Sequence, residues 1–269
     1  MWRPVAVAAL ATAHVLLVVL LPPAAAQGWS GVAGFAFKTA ASASALRAAF
    51  ALGRGDYMRV FWLAIGVSFA LLAAADAPAL LGAAGEAAAR HPARLLLLVL
   101  GNALSVYGAA RLAMACRSAG LGFGATWRVR ATWAIFAVIA ATVTGEALRR
   151  ELPLASAGHH EAWVDAFSYV CDGASFVLMV PVLRFAIRLG SGRLAGAWWA
   201  LFGANTSWLL FDATGALALY SSASGPALAA GEGFRALACL LTALAAWHQR
   251  DLVASARAAR AAAAPGPAA

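Results

Sequence analysis

Residues 60–75 read VFWLAIGVSFALLAAA, an apolar run without a charge between Arg59 and Asp76. A helix rises about 1.5 Å per residue, so this run with its flanks, residues 58–81, is long enough to cross the ~30 Å hydrocarbon core of a bilayer. Six other segments have the same character: 5–21, 94–115, 131–148, 163–187, 195–219 and 230–248. The sequence therefore predicts an all-α fold, a polytopic transmembrane helical bundle with seven spans.

Composition supports lipid as the main solvent and partner of these side chains. Hydrophobic residues make up 63% of the 269-residue chain and charged residues only 12%, about half the charged share of a typical soluble protein. The formal net charge of +9 does not predict nucleic-acid binding, because the arginines do not cluster on one face but lie in the short gaps between apolar runs. A composition rich in Ala, Gly and Arg is typical of a GC-rich bacterial genome, so we expect a bacterial inner membrane.

The first apolar run has two interpretations. Its charged start, its apolar stretch and the small residues at 24–26 match the pattern of a secretory signal peptide. Cleavage there would leave six spans. The alternative is an uncleaved first span, and the distribution of basic residues favours it.

Basic residues alternate between the two sides of the predicted bundle. Assigned to alternate connectors, 14 lie on one side and six on the other. Because basic residues concentrate in cytoplasmic loops, the richer side is expected to be the cytoplasm. Seven spans then place the N-terminus outside and the C-terminus inside.

Four segments follow from this topology. Residues 1–26 form the first span or signal peptide, and residues 27–57 form a cytoplasmic loop. That loop contains the only lysine, Lys38, and we expect part of it to lie along the membrane surface as an amphipathic helix. Residues 58–249 form a six-helix bundle, and residues 250–269 form a basic tail rich in Ala, Arg and Pro.

Charged and strongly polar side chains within apolar helices are candidates for function, because their transfer into hydrocarbon is costly. With the predicted orientation they all fall in the outer half of the membrane or near its midplane. Spacings of three and four residues place Asp165, Ser168 and Asp172 on one face of the fifth span. The predicted ligand or ion pocket consists of Asp172, Asp212, Arg235, Asn102, Glu232, Asp76 and Glu146. Arg235 is the expected counter-ion of Asp212, Asp172 or Glu232.

No catalytic, cofactor or metal signature completes a site. The three cysteines lack metal-ligand spacing, and residues 159–161 with Asp165 lack a second ligand cluster. His14 lies within the first span without a second histidine at that depth. No cofactor is expected, and an enzymatic role is disfavoured without being excluded.

Two functional interpretations remain. The first is a sensor, receptor-like or accessory subunit that binds a small ligand or ion from the outer side and contacts a membrane-protein partner. The second is a transporter of a small solute, ion or proton that uses the intramembrane aspartates. A transporter requires a polar path to the inner face, whereas the inner halves of the spans are almost entirely apolar, which favours the first interpretation.

Overall fold

The computed structural model describes residues 2–80, 91–120, 126–218 and 224–263. Every regular element in these ranges is an α-helix, so the all-α prediction is confirmed. The helices are α1 (Trp2–Leu20), α2 (Pro23–Ala51), α3 (Tyr57–Leu80), α4 (Pro92–Ser118), α5 (Trp127–Ser156), α6 (His160–Leu178), α7 (Val180–Leu189), α8 (Arg193–Ala218) and α9 (Ser224–Ala263).

Proline and glycine mark most of the helix boundaries. Pro22 has an extended backbone, and Pro23 opens α2, where its missing N–H is not needed. Gly158 and Gly190 adopt positive φ, 96° and 65°, in the turns after α5 and α7, a conformation that residues with a Cβ rarely adopt. Pro181 accompanies the short break that separates α6 from α7.

Six helices among the described residues are long and apolar enough to cross a membrane, which supports a membrane-embedded protein. They are residues 2–20, 57–77, 92–118, 127–156, 160–189 (α6 with α7) and 229–263. The predicted number of seven spans is not confirmed. The predicted span at 195–219 corresponds to α8, which packs within the bundle but is not among the six.

Side-chain contacts show that successive long helices run antiparallel. His14 of α1 contacts Trp29 of α2, and Lys38 of α2 contacts Asp76 of α3. The pattern continues to the last helix, where Gly196 of α8 lies against His248 of α9. With α6 and α7 taken as one unit, the described residues form eight antiparallel segments.

The two ends of the chain lie at the same end of the bundle. The guanidinium of Arg3 forms an ion pair with Asp251, and Arg257 donates to the carbonyl of Ala51 at 2.6 Å. An even number of antiparallel segments requires this arrangement. It differs from the predicted topology, which placed the N-terminus and the C-terminus on opposite sides, because that prediction omitted one helix.

The omitted helix is α2, which the sequence analysis assigned to a cytoplasmic loop with a surface-lying helix. In the structure Ala41, Ala45, Ala48 and Ala49 of α2 are fully buried, and the helix packs between α3 and α9. Its small residues allow close backbone approach, and Lys38 has a buried partner in place of a lipid headgroup. Mean hydropathy reports neither the close approach of helix backbones nor the presence of a buried partner for a charge.

Charge separates along the bundle axis. One end, here called the arginine end, contains the start of α1 and the C-terminal part of α9. The opposite half, here called the acidic half, contains most carboxylates. Arginines at the arginine end are Arg3, Arg47, Arg54, Arg59, Arg111, Arg117, Arg128, Arg130, Arg184, Arg188, Arg250, Arg257 and Arg260. Described carboxylates in the acidic half are Asp76, Glu146, Glu151, Glu161, Asp165, Asp172, Asp212 and Glu232.

A hydrophobic core fills the half of the bundle towards the arginine end. Trp62 is fully buried there, and Phe61, Met179, Leu201 and Leu244 belong to the same cluster. Burial of such side chains stabilises the association of helices through close packing. Buried polar groups instead lie together in the interior of the acidic half.

Candidate functional site

A cavity of about 300 Å³ lies inside the acidic half. Side chains from α2, α3, α4, α6, α8 and α9 form its wall. The polar residues that line it are Lys38, Ser68, Asp76, Arg94, Asn102, Ser105, Asp165, Ser168, Tyr169, Asp172, Asp212 and Arg235. A polar cavity among otherwise apolar helices satisfies buried polar groups that lipid could not.

Two aspartates lie side by side in the wall of this cavity. Asp172 on α6 and Asp212 on α8 have their carboxyl groups within hydrogen-bonding reach. Asp212 is only 4% exposed. Among the described residues, no N–H or O–H group donates to its Oδ2 atom. Such a pair can share a proton, bind a cation or polarise a water molecule.

A buried ion pair forms a second side of the cavity. Nζ of Lys38 on α2 lies 2.7 Å from Oδ2 of Asp76 on α3. The two side chains are 8% and 16% exposed. Mutual pairing removes the need for either charge to reach water, which explains how an apolar bundle accommodates a lysine.

Hydrogen bonds fix the position of α6 against α4. Nδ2 of Asn102 donates to Oγ of Ser168 at 2.7 Å, and Oγ of Ser168 donates to the carbonyl of Val164 at 2.9 Å. Nearer the end of the bundle, Arg94 interacts electrostatically with the exposed carboxylate of Asp165. These contacts set the wall that presents Asp172 to the cavity.

Aromatic rings form the apolar part of the wall. The rings of Phe69 and Trp208 have centroids 6.3 Å apart, and those of Trp208 and Phe211 are 5.9 Å apart in a T-shaped contact. Trp208 and Asp212 are four residues apart on α8, so their side chains lie on one face of that helix. The carboxyl pair therefore lies beside an aromatic surface.

Arg235 links the cavity to a polar network between α1, α2 and α9. Its guanidinium pairs with Glu232 and donates to the carbonyl of Ser30 at 2.8 Å. A Cβ at Gly34 would lie 3.0 Å from Nη2 of this arginine, so the glycine makes room for it.

The same network anchors α1. Nε2 of His14, which is 2% exposed, lies 3.4 Å from Oε2 of Glu232. Nε1 of Trp29 donates to Nδ1 of His14 at 3.1 Å. The buried histidine thus has a partner on each ring nitrogen, one from α2 and one from α9.

A separate void of about 20 Å³ lies next to the cavity towards the arginine end, and Phe69, Ser105 and Trp208 line both. Ser105, Asn205, Trp208 and Thr242 contribute polar atoms to this void, and Met179 and Leu201 close it. The hydrophobic core lies between this void and the arginine end.

Five of the seven predicted pocket residues line the cavity: Asp76, Asn102, Asp172, Asp212 and Arg235. Two do not. Glu232 is turned to Arg235 and His14. Glu146 pairs within α5 with Arg149 at i+3 and with Arg150 at i+4. Arg235 pairs with Glu232, one of its three expected partners.

Lys38 is the cavity residue that the sequence analysis placed elsewhere. It was assigned to the cytoplasmic surface because Lys38 and Arg47 interrupt the apolar stretch, and basic groups at the membrane surface can meet anionic headgroups. The signal that could have identified it is the length of the uncharged flanks on both sides, residues 24–37 and 39–46, which is unusual for a surface loop.

A second depression, of about 340 Å³, lies at the outer surface of the acidic half beside residues 158–161, Pro92 and Leu95. The ring Nδ1 of His159 lies 3.6 Å from Oε1 of Glu161 there. This depression is shallow, and its polar groups face solvent.

Cys116, Cys171 and Cys239 are all buried as free thiols.

Comparison with known proteins yields no match: no family model, no curated protein and no solved structure is similar to the chain. Inference about function therefore depends on the cavity and the charge distribution.

Proposed function

We propose that the chain is a multi-pass membrane protein of the sensor, receptor-like or accessory type that binds a small polar ligand in the cavity of its acidic half. The positive-inside bias supports a cytoplasmic location for the arginine end. The cavity then faces the outer side, and both termini lie in the cytoplasm. A bacterial inner membrane and a membrane-protein partner belong to the same proposal.

The observation that carries this proposal is the Asp172–Asp212 pair within a cavity that has the hydrophobic core on its side towards the arginine end. Two carboxyl groups in a membrane bundle are costly, and a structural role alone would be met by groups that satisfy each other fully. A cavity of about 300 Å³ is at the small end of the range for ligand sites. The packed apolar side chains of the hydrophobic core, on the side towards the arginine end, favour binding of a ligand over its transport across the membrane.

Chemical modification from one side of the membrane tests the proposal. We would introduce Ser105→Cys at the cavity floor and Ser44→Cys in the buried face of α2 as the matched control. A membrane-impermeant methanethiosulfonate reagent is added to the outer side of cells or oriented proteoliposomes. We expect modification of the cysteine at 105 only, and the wild-type chain with its buried thiols gives the background.

Ligand binding is then measured as protection. Mixtures of small amines, carboxylates, sugars and nucleosides are added before the reagent, and at least one class should slow modification. If the cysteine at 105 reacts only from the side of the C-terminus, or if no class protects it, the proposed outward-facing binding function is wrong.

The alternative is a transporter of a small solute, ion or proton. It is supported by the void below the cavity, where Asn205 and Thr242 continue the polar lining, and by the capacity of an aspartate pair to carry a proton. A pH-sensitive dye inside proteoliposomes distinguishes the two functions. Solute-dependent proton flux that Asp172→Asn abolishes would establish transport, and binding without flux would support the first function.

A further inference from the structure

We propose that the Asp172–Asp212 pair binds the ammonium group of a small primary amine, in exchange for the proton that the two carboxyls share. The inference rests on the proposed binding function and specifies the class of ligand. It is carried by four observations: the contact between the carboxyls, the missing donor to Asp212, the state of the neighbouring cations and the aromatic wall.

The contact between the carboxyls requires a positive charge or a proton. An ionised carboxylate only accepts hydrogen bonds, so two of them cannot bond to each other. Asp172 and Asp212 nevertheless lie within hydrogen-bonding reach. In the absence of a ligand, one proton between them satisfies this geometry. An ammonium group can replace that proton because it supplies three donors and one positive charge.

The Oδ2 atom of Asp212 lacks a donor among the described residues. Oδ2 is buried, and no described N–H or O–H reaches it. A buried acceptor without a donor costs free energy, and this one belongs to a side chain in the cavity wall. A ligand that brings an N–H group to Oδ2 would remove that cost.

The cations of the cavity do not neutralise the pair. Lys38 is bound to Asp76 at 2.7 Å, and Arg235 is bound to Glu232 and to the carbonyl of Ser30. Arg94 interacts with Asp165 nearer the end of the bundle. Each cation thus has its own carboxylate, and the Asp172–Asp212 pair is left to a cation from outside.

The aromatic wall favours the same ligand. Trp208 lies one helical turn before Asp212, and Phe69 and Phe211 flank its ring. Aromatic faces attract ammonium groups, and the attraction is stronger where water is excluded. A cavity of about 300 Å³ accommodates an amine of a few carbon atoms.

The exchange is balanced in charge and atoms. The ammonium ion enters from the outer side, and its N–H groups donate to Asp172 and Asp212. The shared proton leaves to the same aqueous phase, and no covalent bond is formed or broken in the ligand. Binding should therefore release up to one proton for each ammonium ion bound.

Three probes of equal size and different charge test the inference: butylammonium, butan-1-ol and butyrate. The full chain in lipid nanodiscs is titrated with each at pH 7, and binding is measured by the quenching of tryptophan fluorescence and by the shift in Tm. We expect butylammonium alone to bind, with proton release measured by a dye in weak buffer. Preferential binding of butyrate or butan-1-ol, or binding of butylammonium without proton release, would overturn the inference.

Variants assign the effect to the pair. Asp212→Asn should weaken butylammonium binding by about tenfold or more, since it removes a charged acceptor. Glu146→Gln is the matched control, because Glu146 does not line the cavity and pairs within α5. The affinity of this variant for butylammonium should equal that of the wild type. If Asp212→Asn fails to fold, the inference is still tested on the wild-type chain by the comparison of the three probes and by proton release.

Failure of the inference is distinguishable from failure of the binding function. If none of the three probes binds while carboxylates or sugars protect the cysteine at position 105, the cavity binds ligands of another class and only the ammonium assignment is wrong. If that cysteine cannot be reached from the outer side, the binding function itself is wrong.

Discussion

At the scale of single residues, Lys38 shows how a charge becomes compatible with an apolar bundle. Its ammonium group lies 2.7 Å from a carboxylate oxygen of Asp76, and both side chains are largely removed from solvent. The attraction between the two charges is strong in such surroundings, but each charge alone would be costly. We therefore expect the pair to behave as a unit.

Replacement of one partner should be far more harmful than replacement of both. Lys38→Met leaves the Asp76 carboxylate buried without its cation, and we expect a loss of about 3–5 kcal/mol in the free energy of unfolding. Lys38→Met with Asp76→Leu should recover most of this loss. Unfolding in mixed detergent micelles measures Lys38→Met, Asp76→Leu and the double variant as a double-mutant cycle. A double variant as unstable as the sum of the two single variants would contradict the pairing.

The sequence predicts some of these residues well and others poorly. Asp172 and Asp212 could be selected from sequence because carboxylates inside apolar runs are rare and their helical spacing to Ser168 and Trp208 is regular. Lys38 and Glu146 could not be assigned correctly. The partner of Lys38 is Asp76 on another helix, and the partners of Glu146 are Arg149 and Arg150 on its own helix. Hydropathy does not report which partner a side chain contacts.

At the scale of helices, small residues determine how closely α2 and α3 pack. The added Cβ of a residue at position 66 would lie 2.7 Å from the side chain of Leu46 and 3.1 Å from its backbone N. Oγ of Ser42 donates to the carbonyl of Gly66 at 2.8 Å beside this contact. The sequence analysis missed α2 as a bundle helix because Ala, Ser and Gly have low hydropathy but pack well.

Enlargement of Gly66 should separate the two helices. We expect Gly66→Ala to lower the free energy of unfolding by about 1–3 kcal/mol, because the backbone of α2 must shift. Gly145→Ala on α5 is the matched control. A Cβ there meets nothing within 4 Å, and alanine favours a helix more than glycine does. Equal thermal stability of both variants would show that this contact does not limit the packing.

Retention of α1 is a separate prediction at this scale. The contacts of His14 with Trp29 and Glu232, and the ion pair of Arg3 with Asp251, integrate the helix into the bundle. Cleavage as a signal peptide would leave Glu232 without its histidine partner. We expect mass spectrometry of the purified protein to find residues 2–26 present. A mature chain that begins near Gln27 would contradict the packing of α1.

At the scale of the whole molecule, charge and polarity are distributed along one axis. Arginines concentrate at one end, while carboxylates and the cavity occupy the opposite half. The sequence predicted this separation because it follows from alternation along the chain. Inclusion of α2 in the bundle places Arg3 at the arginine end and Lys38 in the acidic half, and the charge bias remains.

The locations of the two termini test this arrangement most directly. Tags at the N-terminus and the C-terminus are probed in the same sealed membrane vesicles with a protease that cannot cross the bilayer, before and after permeabilisation. Eight antiparallel segments predict that both tags lie on one side, protected together in right-side-out vesicles and cleaved together in inverted ones. Tags on opposite sides of the membrane would contradict the antiparallel bundle and the proposed outward-facing cavity.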